Sequence, residues 1–368
     1  MSERIRVAVV FGGRSSEHAI SCVSAGSVLR ALDRERYDVV PVGVTPDGRW
    51  VLEADEPDRL AITDGKLPEV DAGGTSIVLA ADPTRPDLEV HEANQVPESL
   101  GTVDVVFPVL HGPFGEDGTI QGLLEMAGVP YVGSGVLASA VAMDKGAMKT
   151  VFAQAGLEQA PYVVISDRDW RRRRDAMLDA VAALGLPVFV KPARAGSSLG
   201  ITKVKSVEAL VPAIEEARRH DPRVVVEASV EDAREIECGV LVDAEGDPQA
   251  SVCAEIVVHG EHEFYDFEAK YLDDAADLVV PADLDPAVSE RVRELAVQAF
   301  EALGCEGLAR CDFFVTADGR VLVNEVNTMP GFTSISMFPR VWAESGVDYP
   351  ALVDRLVADA LRRGTGLR

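Results

Sequence analysis

Two acidic side chains near the end of the printed sequence are predicted to face each other across a hairpin. Asp318-Gly319 separates two apolar runs, and this dipeptide is typical of a two-residue β-turn. Counting outward from that turn sets Asp312 opposite Glu325. Opposed carboxylates repel each other, so the pairing makes sense if a cation lies between them. Mg²⁺ takes oxygen ligands and shares them with substrate phosphates, and the sequence therefore predicts a divalent-metal site.

The same strand face carries two further polar side chains. The period-two alternation of a strand places Arg310 opposite Asn327, beside the two acids. Four such residues on one face favour the metal site over the alternative, a strand face exposed to solvent. A three-residue turn with a bulge at Gly319 is also compatible with the sequence, and it would separate Asp312 from Glu325.

A lysine followed by a Gly/Ser loop forms a second candidate site. Lys191 ends an apolar run, and Gly196-Ser197-Ser198 follows it. An ammonium group and unobstructed backbone N–H groups suit polyphosphate. The loop is not a Walker A motif, because GxxxxGK[ST] is absent, and a Gly/Ser loop alone is more often a simple turn. Glu227, an acid at the end of another apolar run, supports the functional interpretation.

Two more loops combine polar residues with glycine. His111–Gly118 follows a predicted strand and opens a helix, which is where a doubly wound domain binds ligands. A loop histidine is usually only solvated, but this position favours a functional one. Asn327–Ser336 supplies Gly331, whose N–H can be approached closely, and hydroxyl groups at a new helix start. Both features suit an oxyanion and a substrate carboxylate.

The elements that must position these residues predict an α/β chain with three regions. In the first region strands and helices alternate, which indicates a parallel, doubly wound sheet. Its predicted strands are Ile5–Phe11, Tyr37–Val44 and Val103–Leu110, and its helices are Glu17–Leu32 and Gly118–Ala127. The stretch Thr45–Gly101 is interpreted as a surface elaboration with short β pieces at Trp50–Leu52 and Ile77–Leu79.

The second and third regions are also predicted to contain both strands and helices. A helix around Ala138–Gly156 leads into the second region. The other expected elements are strands 162–165, 188–190, 224–227, 234–242 and 249–258, helices 171–184, 207–219, 288–303 and 349–362, the hairpin 308–326, and an irregular acidic stretch, 261–285. We expect domain boundaries at 1–143, 144–231 and 232–368.

Charge and cysteine content narrow the possible partners and compartment. The 368 residues carry a net charge of −26, which would repel nucleic acid and anionic membranes. The five cysteines are scattered without CxxC spacing, which favours a reducing compartment over disulfides or a zinc site. An apolar run begins almost at the first residue with no signal-peptide pattern, and the uncharged run Met126–Met143 is interrupted by glycines and a proline. A cytoplasmic location is expected.

Taken together, these motifs resemble the ATP-grasp ligases, and within them the D-alanine–D-alanine ligases. The resemblance covers essentially the whole chain in order, and it is specific as an ordered set although each piece alone is weak. The segments that carry it are Gly12-Gly13, Glu17–Ser21, His111–Gly118, Met143–Lys145, Lys191 with Gly196–Ser198, Tyr265–Tyr271, Arg310–Asp312 and Asn324–Gly331.

The resemblance implies a three-domain ATP-grasp architecture, with an α/β first domain and an α+β class in the ATP-grasp part. It also implies ATP as the phosphoryl donor and two Mg²⁺ (or Mn²⁺) ions as cofactors. The residues implied in ATP binding are Lys145 and Lys191 for the phosphates, Ser197 and Ser198 in the loop above them, and Glu227 and Glu235 for the adenosine. The residues implied as metal ligands are Asp312, Glu325 and Asn327.

The family resemblance also implies two D-alanine substrates and a homodimer. The residues implied in substrate binding and catalysis are Glu17 for the first ammonium with His111 nearby, Arg310 and the Gly331 N–H for the oxyanion, Lys270 and Ser336 for the second carboxylate, and Met337 beside them. A mobile lid is implied at about 260–277, from which Tyr271 would reach Ser197 and Glu17. This tyrosine favours a dipeptide over an ester product.

Three alternatives stay open from the sequence. One is a related ligase that joins D-alanine to D-serine or D-lactate. Another is a small-molecule-binding α/β protein without catalysis, which would leave the pairing of Asp312 with Glu325 unexplained. The last is a non-catalytic regulatory homologue, which competent residues at every assigned position disfavour.

Overall fold

Three β-sheets follow one another along the chain and confirm the predicted α/β class. The computed structural model describes residues 4–63, 65–91, 96–196, 199–258 and 276–366. All statements below concern these residues. None of their helices is both long enough and apolar enough to cross a membrane.

The first sheet has seven strands in the order β6-β5-β4-β3-β2-β1-β7. They are β1 Ile5–Gly12, β2 Tyr37–Val44, β3 Trp50–Leu52, β4 Thr75–Leu79, β5 Asp87–Val90, β6 Glu98–Thr102 and β7 Val105–Pro108. Helices α1 His18–Ala31 and α2 Thr119–Ala127 belong to this region, together with a 3-10 turn at Pro57–Leu60.

Strand β1 lies between β2 and β7 and is parallel to both, as the alternation of strands and helices predicts. Its apolar run is buried on both faces, which is typical of a central parallel strand. The two β pieces expected within Thr45–Gly101 are confirmed as β3 and as the end of β4, but this stretch is part of the sheet rather than a surface elaboration. It contributes β3 to β6, which pair antiparallel and extend the sheet beyond β2.

The helix expected around Ala138–Gly156 is two helices, α3 Val136–Met143 and α4 Lys145–Gln154. The break falls at Asp144, whose backbone is extended and whose carboxylate accepts the N–H of Ala147 at 3.0 Å. An aspartate at this position caps a new helix, so the single-helix prediction is wrong here.

The second sheet has four antiparallel strands in the order β10-β9-β11-β8. They are β8 Tyr162–Ile165, β9 Val188–Pro192, β10 Thr202–Val204 and β11 Val224–Ala228, and the helices are α5 Asp167–Arg172, α6 Arg174–Ala182 and α7 Val207–His220. The single helix expected at 171–184 is wrong, because it begins earlier and breaks at Arg173, where φ is −139°.

The third sheet has five antiparallel strands in the order β14-β13-β12-β15-β16. They are β12 Arg234–Val242, β13 Pro248–Val258, β14 Ala276–Val279, β15 Leu308–Val315 and β16 Val321–Asn327, with helices α8 Pro286–Leu303, α9 Met337–Glu344 and α10 Tyr349–Arg363. The stretch 261–285 was expected to be irregular, but its later part contains β14. Residues 259–275 lie outside the described part of the chain.

A shared core joins the first sheet to the last helices. Phe332 is fully buried, and its ring meets that of Phe107 on β7 edge-on, with centroids 5.8 Å apart. The rings of Phe338 and Tyr349 lie on its other sides at 6.0 and 5.6 Å. Aromatic pairs of this kind bury large areas in defined geometry, so they fix the loop before α9 against the end of β7.

Candidate active site

The turn of the β15–β16 hairpin differs from the predicted one. The Gly319 N–H donates to the Thr316 carbonyl at 2.9 Å, and the Thr316 N–H donates to Arg320 at 3.0 Å. The loop is therefore three residues long rather than two, and Gly319 takes the positive φ of +81° that such a loop requires. The two-residue turn was wrong.

The predicted opposition of the two acids is nevertheless confirmed. Phe313 pairs with Val323, and the next pair is Asp312 with Glu325, so Asn324 is an extra residue in β16. This bulge compensates for the longer turn. Beyond it Arg310 lies opposite Asn327, as expected.

Arg310 binds the carboxylate of Asp312, a predicted metal ligand on the same strand. Its Nε and one terminal nitrogen each donate to an oxygen of Asp312 at 2.7 Å, which is a bidentate pair. Its Nε also lies 3.2 Å from the carboxylate of Glu237, the residue opposite Asp312 on β12. Burial opposes the charge on Arg310, but the two carboxylates more than offset this and raise its pKa well above its usual range.

Lys145 connects the hairpin to the loop after β9. Its Nζ lies 3.4 Å from Glu325 and donates to the Ala195 carbonyl at 3.1 Å. Its backbone N–H donates to the Ala193 carbonyl at 2.9 Å, so the first residue of α4 is attached to that loop twice. Lys145, which is predicted to bind the ATP phosphates, thus contacts Glu325, which is predicted to bind the metal.

A buried cluster of one acid and two lysines lies beside this loop. The Lys191 Nζ donates to one oxygen of Glu227 at 2.6 Å, and the Lys149 Nζ lies 2.8 Å from the other. Burial works to raise the pKa of Glu227, but the two ammonium groups outweigh it and lower that pKa. Burial likewise opposes the charge on Lys191, and Glu227, aided by Glu325 and Glu235, raises its pKa.

Glu17 lies between two glycine loops. A Cβ placed on Gly112 would be 2.6 Å from its Oε2, and one placed on Gly196 would be 2.7 Å away. Neither position can carry a larger residue unless Glu17 moves. The structure therefore brings the acid predicted for the first substrate against the loop after β7 and against the start of the Gly/Ser loop.

His111 is buried, and both ring nitrogens have partners. With Nδ1–H donating to the Met329 carbonyl at 3.1 Å, Nε2 accepts from the Ser24 hydroxyl at 3.2 Å. The Phe332 N–H in turn donates to Ser24 at 3.4 Å. Burial lowers the pKa of His111 although Glu17 opposes the shift, so the neutral ring is favoured. His111 therefore positions the segment that contains Gly331.

Glu116, in the same loop as His111, was not predicted as a site residue. Its carboxylate accepts the Gly112 N–H. Burial, followed by the nearby charge of Glu17, raises the pKa of Glu116 to about 8. A carboxyl group of this kind holds its proton near neutral pH.

The segment after β16 turns back on itself through side-chain contacts. The Asn327 Oδ1 accepts the Met329 N–H at 3.1 Å. The Ser336 Oγ accepts the Thr333 N–H at 3.1 Å and lies 2.7 Å from the Thr333 hydroxyl. A Cβ on Gly331 would come within 3.1 Å of that Oγ. Ser336 and Gly331 are therefore neighbours, whereas the Met337 side chain is buried in the core.

Four predicted residues cannot be placed. Ser197, Ser198, Lys270 and Tyr271 lie outside the described residues. Their roles stay predictions.

The donor set of the hairpin fits a hard cation. Two carboxylates and an amide oxygen, from Asp312, Glu325 and Asn327, are the ligands that Mg²⁺ prefers. In the described ranges no three acids, histidines or cysteines form a ready-made metal cluster. In this structure Arg310 contacts the carboxylate of Asp312, and Lys145 contacts that of Glu325. A bound metal ion would therefore have to displace these two side chains or share the carboxylates with them.

Three residues that contact the site residues were not predicted from the sequence, although the spacing of two of them could have indicated them. Lys149 follows Lys145 by four residues, which is the spacing of one helix face. Glu237 follows Glu235 by two, which is the spacing of one strand face. Glu116 gave no distinguishing signal, because its raised pKa depends on burial that only the fold creates.

Two family models match the chain. The one described as D-ala D-ala ligase N-terminus matches residues 6–134, and the one described as D-ala D-ala ligase C-terminus matches residues 151–358.

Relatives match over nearly full length. The D-alanine–D-alanine ligase of Streptomyces griseus is 60% identical over 371 residues, which cover 99% of this chain and 94% of the relative. That of Mycolicibacterium vanbaalenii is 58% identical over 373 residues, which cover 100% of both chains.

Solved structures share the fold. The VanG D-Ala:D-Ser ligase from Enterococcus faecalis has a TM-score of 0.84 at 33% identity and covers 97% of this chain and 100% of its own. The D-alanine–D-alanine ligase from Coxiella burnetii has a TM-score of 0.80 at 34% identity, covering 98% and 95%.

Proposed function

The chain belongs to the D-alanine–D-alanine ligase family, and we propose that it joins two D-alanine molecules while converting ATP to ADP and phosphate. A carboxylate oxygen of the first D-alanine attacks the γ-phosphorus, ADP leaves, and D-alanyl phosphate forms. The amine of the second D-alanine then attacks the carbonyl carbon. Phosphate leaves, the amine loses a proton, and D-alanyl-D-alanine is released for peptidoglycan precursor synthesis.

The observation that carries this proposal is the opposition of Asp312 and Glu325, each in contact with a cation of the chain. Arg310 binds the first and Lys145 approaches the second. Transfer of a phosphoryl group needs positive charge around oxygens that are becoming more negative, and this arrangement concentrates cations and oxygen ligands together. A binding protein without catalysis has no need of it.

For the phosphoryl step, Lys145 and Lys191 would hold the ATP phosphates, and Glu227 and Glu235 would lie near the adenosine. Support comes from the contact of Lys145 with Glu325, and from the influence of Glu325 and Glu235 on Lys191. Asp312, Glu325 and Asn327 would hold two Mg²⁺ or Mn²⁺ ions. When bound, these ions would neutralise phosphate charge.

For the amide step, Arg310 and the Gly331 N–H would stabilise the tetrahedral oxyanion. Glu17 would hold the first ammonium, and Ser336 with Lys270 would hold the second carboxylate. Support comes from the position of Glu17 against two glycine loops and from the closeness of Ser336 to Gly331. His111 would keep the Gly331 segment in place.

Other roles rest on the family resemblance alone. These are the substrate contacts of Met337, the closing of Ser197, Ser198 and Tyr271 over the reactants, the lid at about 260–277, and a homodimer. The domain boundaries 1–143, 144–231 and 232–368 are also proposed, and each region contains one of the three sheets. A cytoplasmic location is supported by free thiols at all five cysteines.

The decisive experiment measures ADP release with D-alanine and with L-alanine. We expect turnover with D-alanine only, and its loss in Asp312→Ala and Glu325→Ala. Absence of D-alanine-dependent turnover in the wild type would disprove the substrate. An active Glu325→Ala enzyme would disprove the role of the hairpin.

A second acceptor is worth testing because one structural neighbour is named a D-Ala:D-Ser ligase. With D-alanine, D-serine and D-lactate in competition, the product masses would identify the preferred acceptor. We expect D-alanyl-D-alanine to predominate.

A further inference from the structure

Lys149 is a buried lysine to which no role has been given so far. It lies on α4, and its side chain is only 2% exposed. Its Nζ lies 2.8 Å from one oxygen of Glu227, while Lys191 occupies the other. The ring of Tyr162 is 5.5 Å from the same Nζ. Each oxygen of one buried carboxylate therefore holds one ammonium group.

The charges of this cluster do not cancel. Among these three residues, one lysine with Glu227 would make a neutral pair, whereas Lys149 and Lys191 together leave one net positive charge. The charges of Glu325 and Glu235 also act on Lys191, but more weakly than that of Glu227. Burying an incompletely compensated charge is unfavourable, and a fold that needed only stability would be served by the neutral pair. The extra charge is explained if an anion arrives beside it.

Helix α4 indicates where such an anion would bind. Lys145 and Lys149 are four residues apart and so lie on one helix face. Lys145 contacts Glu325 and the Ala195 carbonyl, next to the Gly/Ser loop. Lys191 is the penultimate residue of β9, which leads into the same loop. All three ammonium groups therefore lie around the place where the ATP phosphates are proposed to bind.

We propose that Lys149 is a positioning residue that neutralises Glu227 and so leaves the charge of Lys191 available to the nucleotide phosphates. This inference rests on the proposed function, because it assumes that the chain binds ATP and ADP. Lys149 acts through Glu227 and Lys191 and does not itself touch the nucleotide.

The test compares the dissociation constants of ADP and adenosine by calorimetry. Their ratio measures the contribution of the phosphates, and a general loss of structure would weaken both ligands. In Lys149→Met we expect the ratio to fall by about tenfold or more, since the cluster becomes neutral. Lys149→Arg keeps the charge and should retain most of the ratio. The matched control is Lys203→Met on β10, whose Nζ lies 5.6 Å from the Phe189 ring, and it should leave the ratio unchanged.

The double variant Glu227→Gln/Lys149→Met gives a second, independent result. It removes one negative and one positive charge, so Lys191 again leaves the cluster with one net positive charge. We expect the double variant to recover the ratio of dissociation constants that Lys149→Met loses. A ratio that stays low in the double variant would contradict the proposal, as would a wild-type ratio in a folded Lys149→Met.

Failure of the proposed function would look different. A wild-type protein that binds ADP no better than adenosine would overturn the ATP-dependent function itself. Wild-type discrimination with an unchanged ratio in Lys149→Met would overturn only the role of Lys149.

Discussion

Asp312 lies directly opposite Glu325 because two irregularities in the hairpin compensate for each other. The turn has one residue more than a two-residue turn, and β16 has one extra residue at Asn324. Either irregularity alone would shift the register by one residue. A one-residue shift in a strand moves side chains to the other face, so the pairing depends on both.

The first prediction concerns this pair. Asp312→Asn and Glu325→Gln keep the size of each side chain but remove one charged oxygen ligand each, so both should weaken divalent-metal binding. Mn²⁺ titration followed by electron paramagnetic resonance, with ADP present, measures this without turnover. Glu344→Gln, at an exposed position on α9, is the control. Mn²⁺ binding equal to wild type in both hairpin variants would remove the pair from the metal site.

The second prediction concerns the bidentate contact of Arg310 with Asp312. In Arg310→Lys a single ammonium group cannot reproduce the two parallel N–H···O bonds of the guanidinium group. We expect kcat to fall by about 10²–10³-fold, the effect of losing one oxyanion donor, with little change in KM for ATP. Glu237→Gln should reduce kcat less, because the 3.2 Å contact of Arg310 with Glu237 is longer than its two 2.7 Å contacts with Asp312. Steady-state kinetics measure kcat and KM for each variant. A kcat near the wild-type value in Arg310→Lys would contradict the prediction.

The third prediction is a pH dependence of stability from Glu116. Its folded pKa of about 8 lies above the ordinary glutamate value of about 4.3. Between these values the folded protein keeps a proton that the unfolded chain releases. The stabilising contribution of protonated Glu116 is therefore full below about pH 4 and is lost as the pH rises through about 8.

Thermal unfolding of the wild type and Glu116→Gln between pH 5 and 9 tests this. The glutamine stays neutral, so the wild type should lose stability relative to the variant as the pH rises, by at most about 1.4 kcal/mol per pH unit. Parallel curves for the two proteins would show that Glu116 titrates normally. Glu344→Gln again serves as the exposed control.

The fourth prediction concerns the shared aromatic core. Phe332→Ala should lower the free energy of unfolding by about 3–5 kcal/mol, because it removes a fully buried ring. It should also lower kcat, since Phe332 follows Gly331 directly. Denaturation and kinetics on the same preparation measure both effects. Ile335→Ala, at a side chain 77% exposed in the same loop, is the control and should change stability little.

Much of the site could be predicted because its residues follow local patterns. The alternation of polar residues in β15 and β16, the lysine at the end of β9 and the glycine loops are all properties of neighbours in sequence. These patterns predicted the α/β class and the opposition of the two acids, which the structure confirms. They did not predict the helix break at Asp144, which depends on a capping side chain. They also did not predict β5 and β6, which depend on distant pairing partners.

The amino-acid sequence by itself determined which residues could carry the chemistry of this protein and in what order they occur. Only the tertiary structure decided their charge states and partners. Glu227 is held by two lysines, Glu116 keeps its proton, and His111 is neutral, because burial and the approach of charges from other elements set these states. Electrostatic energies depend on distance and solvent exposure, and neither can be derived from residue spacing along the chain.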